Sequence, residues 1–252
     1  MRISTNILRD QDAAFDYSVT ENTQYIYDHL EAAMAEDGGC FNLIGSYGTG
    51  KSSFLLALEQ TLKGIHAHFH WTPPSNATFQ FIKLVGQPES ITRSLNKALD
   101  LRANTSLDKT LDALVAWSKN ASRSLLFADE LGKFVEYALL HDPKKETYVF
   151  QRLAELINAP DNNLTWVGTL HQNIDGYAAG ASRQDAAEWE KVSGRFQTLN
   201  FNEPATTLLK LCSAKLEQVD YGADHKQIKR ANAATHKSNL LPSAFITLAE
   251  DL

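Results

Sequence analysis

Apolar residues recur along this chain in two rhythms that take turns. Short, nearly unbroken apolar runs at Cys40–Ile44, Thr78–Val85, Ser124–Ala128 and Leu164–Leu170 predict strands, and Gln197–Phe201 predicts a fifth. Between them, apolar positions fall three and four apart, the spacing of one helix face. Ile26, Leu30, Ala33 and Met34 form one such set, and Phe54, Leu55, Leu58 and Leu62 a second. Helical spacing returns around Ile91–Leu101, at Leu107, Leu111, Leu114 and Val115, and at Val149, Phe150, Leu153, Leu156 and Ile157. Ser18 and Glu21 read as a capping box opening the first helix, and Asp37, Gly38 and Gly39 as its stop. Asn158–Asn163 ends the helix before the fourth strand, and Pro204 suits the first turn of another. Apolar strands alternating with helices imply an α/β fold with a mostly parallel sheet covered on both faces.

The loop between the first strand and the second helix carries the clearest chemistry. Gly45, Ser46, Tyr47, Gly48, Thr49, Gly50, Lys51 and Ser52 fit G-x-x-x-x-G-K-[ST], with Ser53 following. The glycines let backbone amides turn inward around phosphates, and the helix start adds a partial positive charge. Lys51 is expected to reach the β- and γ-phosphates, and Ser52 to ligate Mg²⁺. The third strand runs into Asp129 and Glu130, a pair suited to hold Mg²⁺ and to orient or deprotonate an attacking water. As an isolated acidic pair it could equally cap a helix. The fourth strand ends at Gly168, Thr169, Leu170, His171 and Gln172. There His171 either touches the γ-phosphate or begins a loop. Arg195 precedes the fifth strand, where it either caps its own sheet edge or acts on a neighbouring subunit's phosphate.

Composition narrows the alternatives. A formal charge of −6 on 252 residues argues against a protein built mainly to coat nucleic acid. The basic groups at Lys144–Lys145 and Lys226–Arg230 read as solvated surface. Cys40 and Cys212 are too few for a disulfide framework and lack metal-ligand spacing. No apolar run approaches the roughly 18 residues of a membrane span, so no membrane role and a cytoplasmic setting are expected. Trp71, Trp117, Trp166 and Trp189 lie apart, without the basic residues that base-stacking platforms use, and are expected in the core.

The motif order resembles the AAA+ class of ASCE P-loop ATPases from about Phe15 onward. Gly45–Ser52, Asp129 with Glu130, Thr169–Gln172 and the Gly194-Arg195-Phe196 box before Glu203 and Pro204 carry the resemblance. It implies a sheet of order 5-1-4-3-2, ATP as the nucleotide, Arg195 as an arginine finger and His171 in the sensor-1 place, more often asparagine or threonine. It also implies a P-loop NTPase core over 1–203. A small, incomplete helical lid at 204–252 would continue into a longer protein. Around Asn239–Ser243 the lid lacks the usual second sensor arginine, for which Lys237 is a weak substitute. The runs Asp129–Phe134 and Gly168–Gln172 are similar to the origin-recognition-like and STAND-like branch, including large ATPases of BREX-type phage-defence operons. Such modules act as switches or assembly motors through self-association, partner proteins or DNA. A small-molecule phosphotransferase and a non-hydrolysing ATP-binding module stay open as alternatives.

Overall fold

The computed structural model describes residues 5–11, 16–71, 77–160, 162–178 and 182–217. Helix α1 (Glu21–Ala35) opens at Thr20, not at Ser18. Thr20 accepts from the Thr23 amide while the Thr23 hydroxyl accepts from the Thr20 amide, a threonine pair closing the capping box expected of Ser18 and Glu21. Glu21 instead lies in the first turn, where its charge suits the helix dipole.

From there the chain alternates as its pattern predicts, through β1 (Gly39–Ile44), α2 (Lys51–Leu62), β2 (Phe79–Val85), α3 (Ile91–Ala98), α4 (Leu107–Ser118) and β3 (Arg123–Asp129). Two abutting helices follow, α5 (Gly132–His141) and α6 (Pro143–Ile157), then β4 (Leu164–Leu170). The short α7 (Ile174–Tyr177), α8 (Arg183–Ser193) and β5 (Gln197–Asn200) complete the unit that ends at Glu203. Helix α8 shows little pattern because it buries only Trp189 and Val192, whereas α5 buries Phe134, Val135 and Ala138 at helical spacing directly after the acidic pair.

All strand pairs are parallel, and the sheet order β2-β3-β4-β1-β5 is the expected 5-1-4-3-2. Neighbouring residues of each strand feed opposite cores. Phe41, Leu43, Leu125, Phe127 and Val167 pack with α1 and α2, whereas Cys40, Leu126, Ala128 and Trp166 pack with α3–α6 and α8. Burying each such large side chain contributes roughly 1.5–3 kcal/mol, which is why the strands read as apolar runs rather than alternating ones. Trp166 and Trp189 are fully buried, and Trp71 and Trp117 pack at the core margin. Cys40 is buried, which pushes its thiol pKa up, while Cys212 is exposed.

A second unit opens at Pro204. In it, α9 (Ala205–Glu217) begins with the Pro204 carbonyl accepting from the Leu208 amide at 3.1 Å, so the proline precedes the helix instead of forming its first turn. Lys226–Arg230, Lys237, Asn239–Ser243 and the rest of the expected lid lie outside the described residues, as does Phe15. Among the described residues no helix is long and apolar enough to cross a membrane.

Candidate functional site

A parallel sheet brings the carboxyl ends of all its strands to one edge, and the crevice there is where ligands collect in open α/β folds. Ile44, Asp129 and Leu170 end adjacent strands on that edge, β4 lying between β1 and β3. The loop leaving β1 is anchored at its start. A side chain at Gly45 would sit 2.8 Å from the Phe201 carbonyl, and the Ser46 amide donates to Asn202 Oδ1 at 2.9 Å. The exit of β5 therefore fixes where the loop begins. Gly48 (φ 78°) and Gly50 (φ 92°) supply the left-handed turns, and the Thr49 hydroxyl donates to the Ser46 carbonyl at 2.9 Å.

Gly50 caps α2 without a side chain, which leaves the first-turn amides of the helix for an anion. The Lys51 ammonium is buried under the loop, donating to the Gly45 carbonyl at 2.5 Å and the Ser46 carbonyl at 2.7 Å. Burial pulls its pKa down, and the charge of Asp129 opposes that. Ser53, one position on, turns its hydroxyl to Thr5 at 3.0 Å and ties the amino-terminal segment to α2.

Asp129 Oδ1 is the hub of the other half. It accepts from Thr169 Oγ1 at 2.7 Å, from Ser52 Oγ at 3.1 Å and from the Glu130 amide at 3.2 Å. Burial pushes the Asp129 pKa up, while its hydrogen bonds to Thr169 and Ser52 pull it back. Thr169 also accepts from the Glu130 amide at 2.9 Å. Glu130 is thereby held in the left-handed region (φ 53°), which disfavours a residue with a β-carbon. Its side chain forms an ion pair with Lys133.

The donor set suits Mg²⁺. Ser52 and Asp129 offer hard oxygens side by side, and the buried carboxylate lacks a full counter-charge. No group of three histidine, cysteine or carboxylate ligands occurs among the described residues.

No protein-family model matches the sequence, and no curated protein matches it either. Its backbone does superpose on solved structures. The ORC2 protein of Aeropyrum pernix, solved as ADPNP–ADP complexes, matches with a TM-score of 0.50 and 12% identity, covering 76% of this chain and 52% of that one. Drosophila ORC bound to DNA matches with a TM-score of 0.52 and 17% identity, covering 85% of this chain and 51% of that one. The fold is that of an AAA+ P-loop NTPase. The chain spans about half the length of each of these two.

Within the AAA+ fold, β4 carries His171 to the loop. Its ring stacks on Tyr47, centroids 3.3 Å apart, and Nδ1 is buried with no hydrogen-bond partner. Burial and the nearby Lys51 charge lower its pKa, which favours the neutral imidazole. Tyr47 itself is 81% exposed.

Arg195 lies elsewhere. In β5 the partners of Phe41 and Ile44 are Gln197 and Asn200, so Arg195 sits before the strand, at the amino end of the sheet. The length of β1 separates that end from the loop, about 17 Å at 3.3 Å per residue. Its guanidinium donates to the Lys191 carbonyl at 2.7 Å and to Glu155 Oε1 at 3.2 Å. Arg195 therefore stands away from its own chain's phosphate loop and is tied to α6 and α8 at the amino edge of the sheet. Glu155 also borders a groove of about 610 Å³ between α4 and α6, with Leu111, Tyr148 and Arg152, away from the strand ends.

Three residues of the site make contacts that the motifs do not assign. Thr169 ties Asp129 to the Glu130 backbone. Gly86, at the end of β2, is pressed against Glu130: a β-carbon there would lie 2.1 Å from the Glu130 carbonyl. Lys133 pairs with Glu130. The one available signal was spacing, a lysine three positions after the acidic pair and a glycine directly after a strand.

Proposed function

We propose that the chain is an ATP-binding, Mg²⁺-dependent ATP-hydrolysing module that acts as a switch or assembly motor within a larger protein. One observation carries the reading: the Ser52 hydroxyl touches the Asp129 carboxylate, with Lys51 and Glu130 beside them, at the edge where the AAA+ fold gathers its strand ends. The loop amides and Lys51 would hold the β- and γ-phosphates. Ser52 and Asp129 would hold Mg²⁺, which neutralises charge on the transferred phosphoryl group. Glu130 would orient and deprotonate the attacking water, and His171 would lie against the γ-phosphate.

Arg195 fits a role in trans, because its own site is a sheet length away. That makes self-association part of the reading. Similarity of Asp129–Phe134 to defence ATPases favours an anti-phage setting, and the DNA in the Drosophila ORC structure makes duplex DNA a partner to test. The deciding experiment measures ATP hydrolysis against protein concentration for wild type, Glu130→Gln and Arg195→Ala. Turnover that rises with concentration and is lost in both variants supports the reading. Turnover that needs Glu130 alone would reduce Arg195 to a structural residue, and phosphate transfer to a small acceptor would replace hydrolysis with a kinase.

A further inference from the structure

The first peptide of the phosphate loop is held from both of its ends. Its carbonyl, on Gly45, accepts from the Lys51 ammonium at 2.5 Å, and its N–H, on Ser46, donates to Asn202 Oδ1 at 2.9 Å. A peptide group bonded at both ends is polarised along the chain of bonds, and each bond strengthens the other. An ammonium has three N–H donors. Two from Lys51 go to the Gly45 and Ser46 carbonyls, and the third makes only a 3.4 Å contact with Thr49 Oγ1, which leaves it to a phosphate.

Asn202 is itself aimed. Asn200 Oδ1 accepts from the Asn202 amide at 3.1 Å and from Asn202 Nδ2 at 3.0 Å. Turning the Asn202 side-chain amide over would set donor against donor at Ser46 and oxygen against oxygen at Asn200, so one orientation is selected. The backbone on either side is pinned as well. The Phe201 amide donates to the Ile44 carbonyl at 2.7 Å, and Glu203 accepts from the Thr20 hydroxyl at 2.5 Å. Ser46 and Asn202 are both exposed, so water would take the Ser46 N–H if the asparagine side chain were lost.

We propose that Asn202 is a positioning residue for Lys51: it fixes the Gly45–Ser46 peptide so that the ammonium keeps one N–H turned toward the phosphates. The proposal rests on the ATPase reading above and deepens it. Without Asn202 the peptide is free to rotate, its carbonyl turns from Lys51, and the ammonium loses a contact that directs it. Lys51 is expected at the β- and γ-phosphates, so a triphosphate feels the loss more than a diphosphate. The coupling runs both ways. A nucleotide that engages Lys51 tightens the Ser46–Asn202 bond, two residues before the second unit opens at Pro204.

Calorimetry on the whole chain measures affinities for Mg²⁺-ADPNP and Mg²⁺-ADP in wild type, N202A, N202L and N200A. Thermal melts accompany it, and NMR follows exchange of the Ser46 amide. N202A and N202L should weaken ADPNP binding by about three- to tenfold, the worth of one hydrogen bond, and ADP binding by less. N200A keeps the acceptor but not its aim, and should fall between wild type and N202A. Melting temperatures should stay within about 2 °C, since the bond lost is at the surface. The Ser46 amide should exchange faster in both Asn202 variants and, in wild type, more slowly with ADPNP than with ADP. Unchanged ADPNP affinity, an equal loss for both nucleotides, or a Ser46 amide as protected in N202A as in wild type overturns the inference while leaving the ATPase reading intact. Wild type that binds neither nucleotide would sink the ATPase reading and this inference together.

Discussion

The two sides of the phosphate crevice are built differently. On one side Asp129, Ser52 and Thr169 are joined by direct hydrogen bonds, Asp129 and Thr169 are buried, and Lys51 is locked under its loop by two carbonyls. On the other, Lys133 and Tyr47 are exposed and Glu130 is half-buried; an ion pair joins Glu130 to Lys133, and Tyr47 stacks on His171. Groups that would meet metal and phosphate are set in place by packing. Those that would meet water and the departing phosphate keep freedom of the side chain over a fixed backbone. The proposed ATP switch would need that division, because the first set would bind in every state while the second would differ between states.

The comparison is broken most directly on the fixed side. Lys51→Ala removes a preset cation from the site, and turnover should fall by at least about 10²-fold, since loss of one preorganised donor costs on the order of 10²–10³. Steady-state hydrolysis checks it. The fold should survive, because Lys51 is a desolvated charge whose hydrogen bonds are confined to the loop. Retained turnover would mean that the loop is not where phosphate binds.

On the movable side, two substitutions at one position separate chemistry from strain. Glu130→Gln should lower turnover by about 10²–10⁴-fold with little change in thermal stability. Glu130→Gly should abolish turnover equally and yet melt higher, because glycine relieves a left-handed backbone that costs roughly 1–2 kcal/mol for other residues. Thermal unfolding of the two variants side by side reads the difference. Equal melting temperatures would place the strain elsewhere.

Gly86→Ala sharpens the link between the halves. The new methyl group would meet a backbone carbonyl, which cannot swing aside as a side chain can. Overpacking of that kind costs about 1–3 kcal/mol, and displacing Glu130 should reduce turnover about tenfold or more. Both are measured on one preparation, by thermal melts and by hydrolysis. A loss of stability with full turnover would show that the position of the Glu130 backbone is not critical.

Why the sequence disclosed some of this and not the rest follows from the range of the interactions. Strand identity was legible because a doubly covered parallel sheet demands apolar runs, and Phe41, Leu43, Leu125 and Phe127 supply them, whereas the sheet order came from the resemblance that the motifs carry. The loop at Gly45–Ser52 was legible because backbone phosphate binding demands glycines at set spacing. Ser18 misled because Thr20 and Thr23 cap each other, a pairing outside the usual glutamate pattern. Gly86 went unread, and Thr169 was read only as part of the segment around His171, because their contacts with Glu130 cross strands, 44 and 39 positions away in sequence, which no local pattern encodes. That Arg195 lies at the far sheet end follows from its place before a parallel strand, but its contacts with Lys191 and Glu155 depend on how α6 and α8 pack, which the local pattern does not show.

The smallest expected effect tests whether the fixed side is truly set by burial. Asp129 has a folded pKa raised above its ordinary value of 3.8, with burial the largest cause. A carboxyl of that kind is protonated more readily in the folded chain than in the unfolded one. The folded state therefore gains stability as pH falls through the raised value, and loses it as pH rises from 3.8 through that value. Asp129→Asn removes the charge while its amide oxygen can still accept from Ser52 and Thr169. Without Mg²⁺ or nucleotide, the variant should be more stable than wild type at pH 7 by about 1 kcal/mol, or 2–4 °C in melting temperature. The gap should close on acidification, and added Mg²⁺ with nucleotide should stabilise wild type alone. A variant that melts below wild type at pH 7 would mean that Lys51 already compensates the carboxylate across the loop, and the fixed side would then be an ion pair rather than a site awaiting a cation.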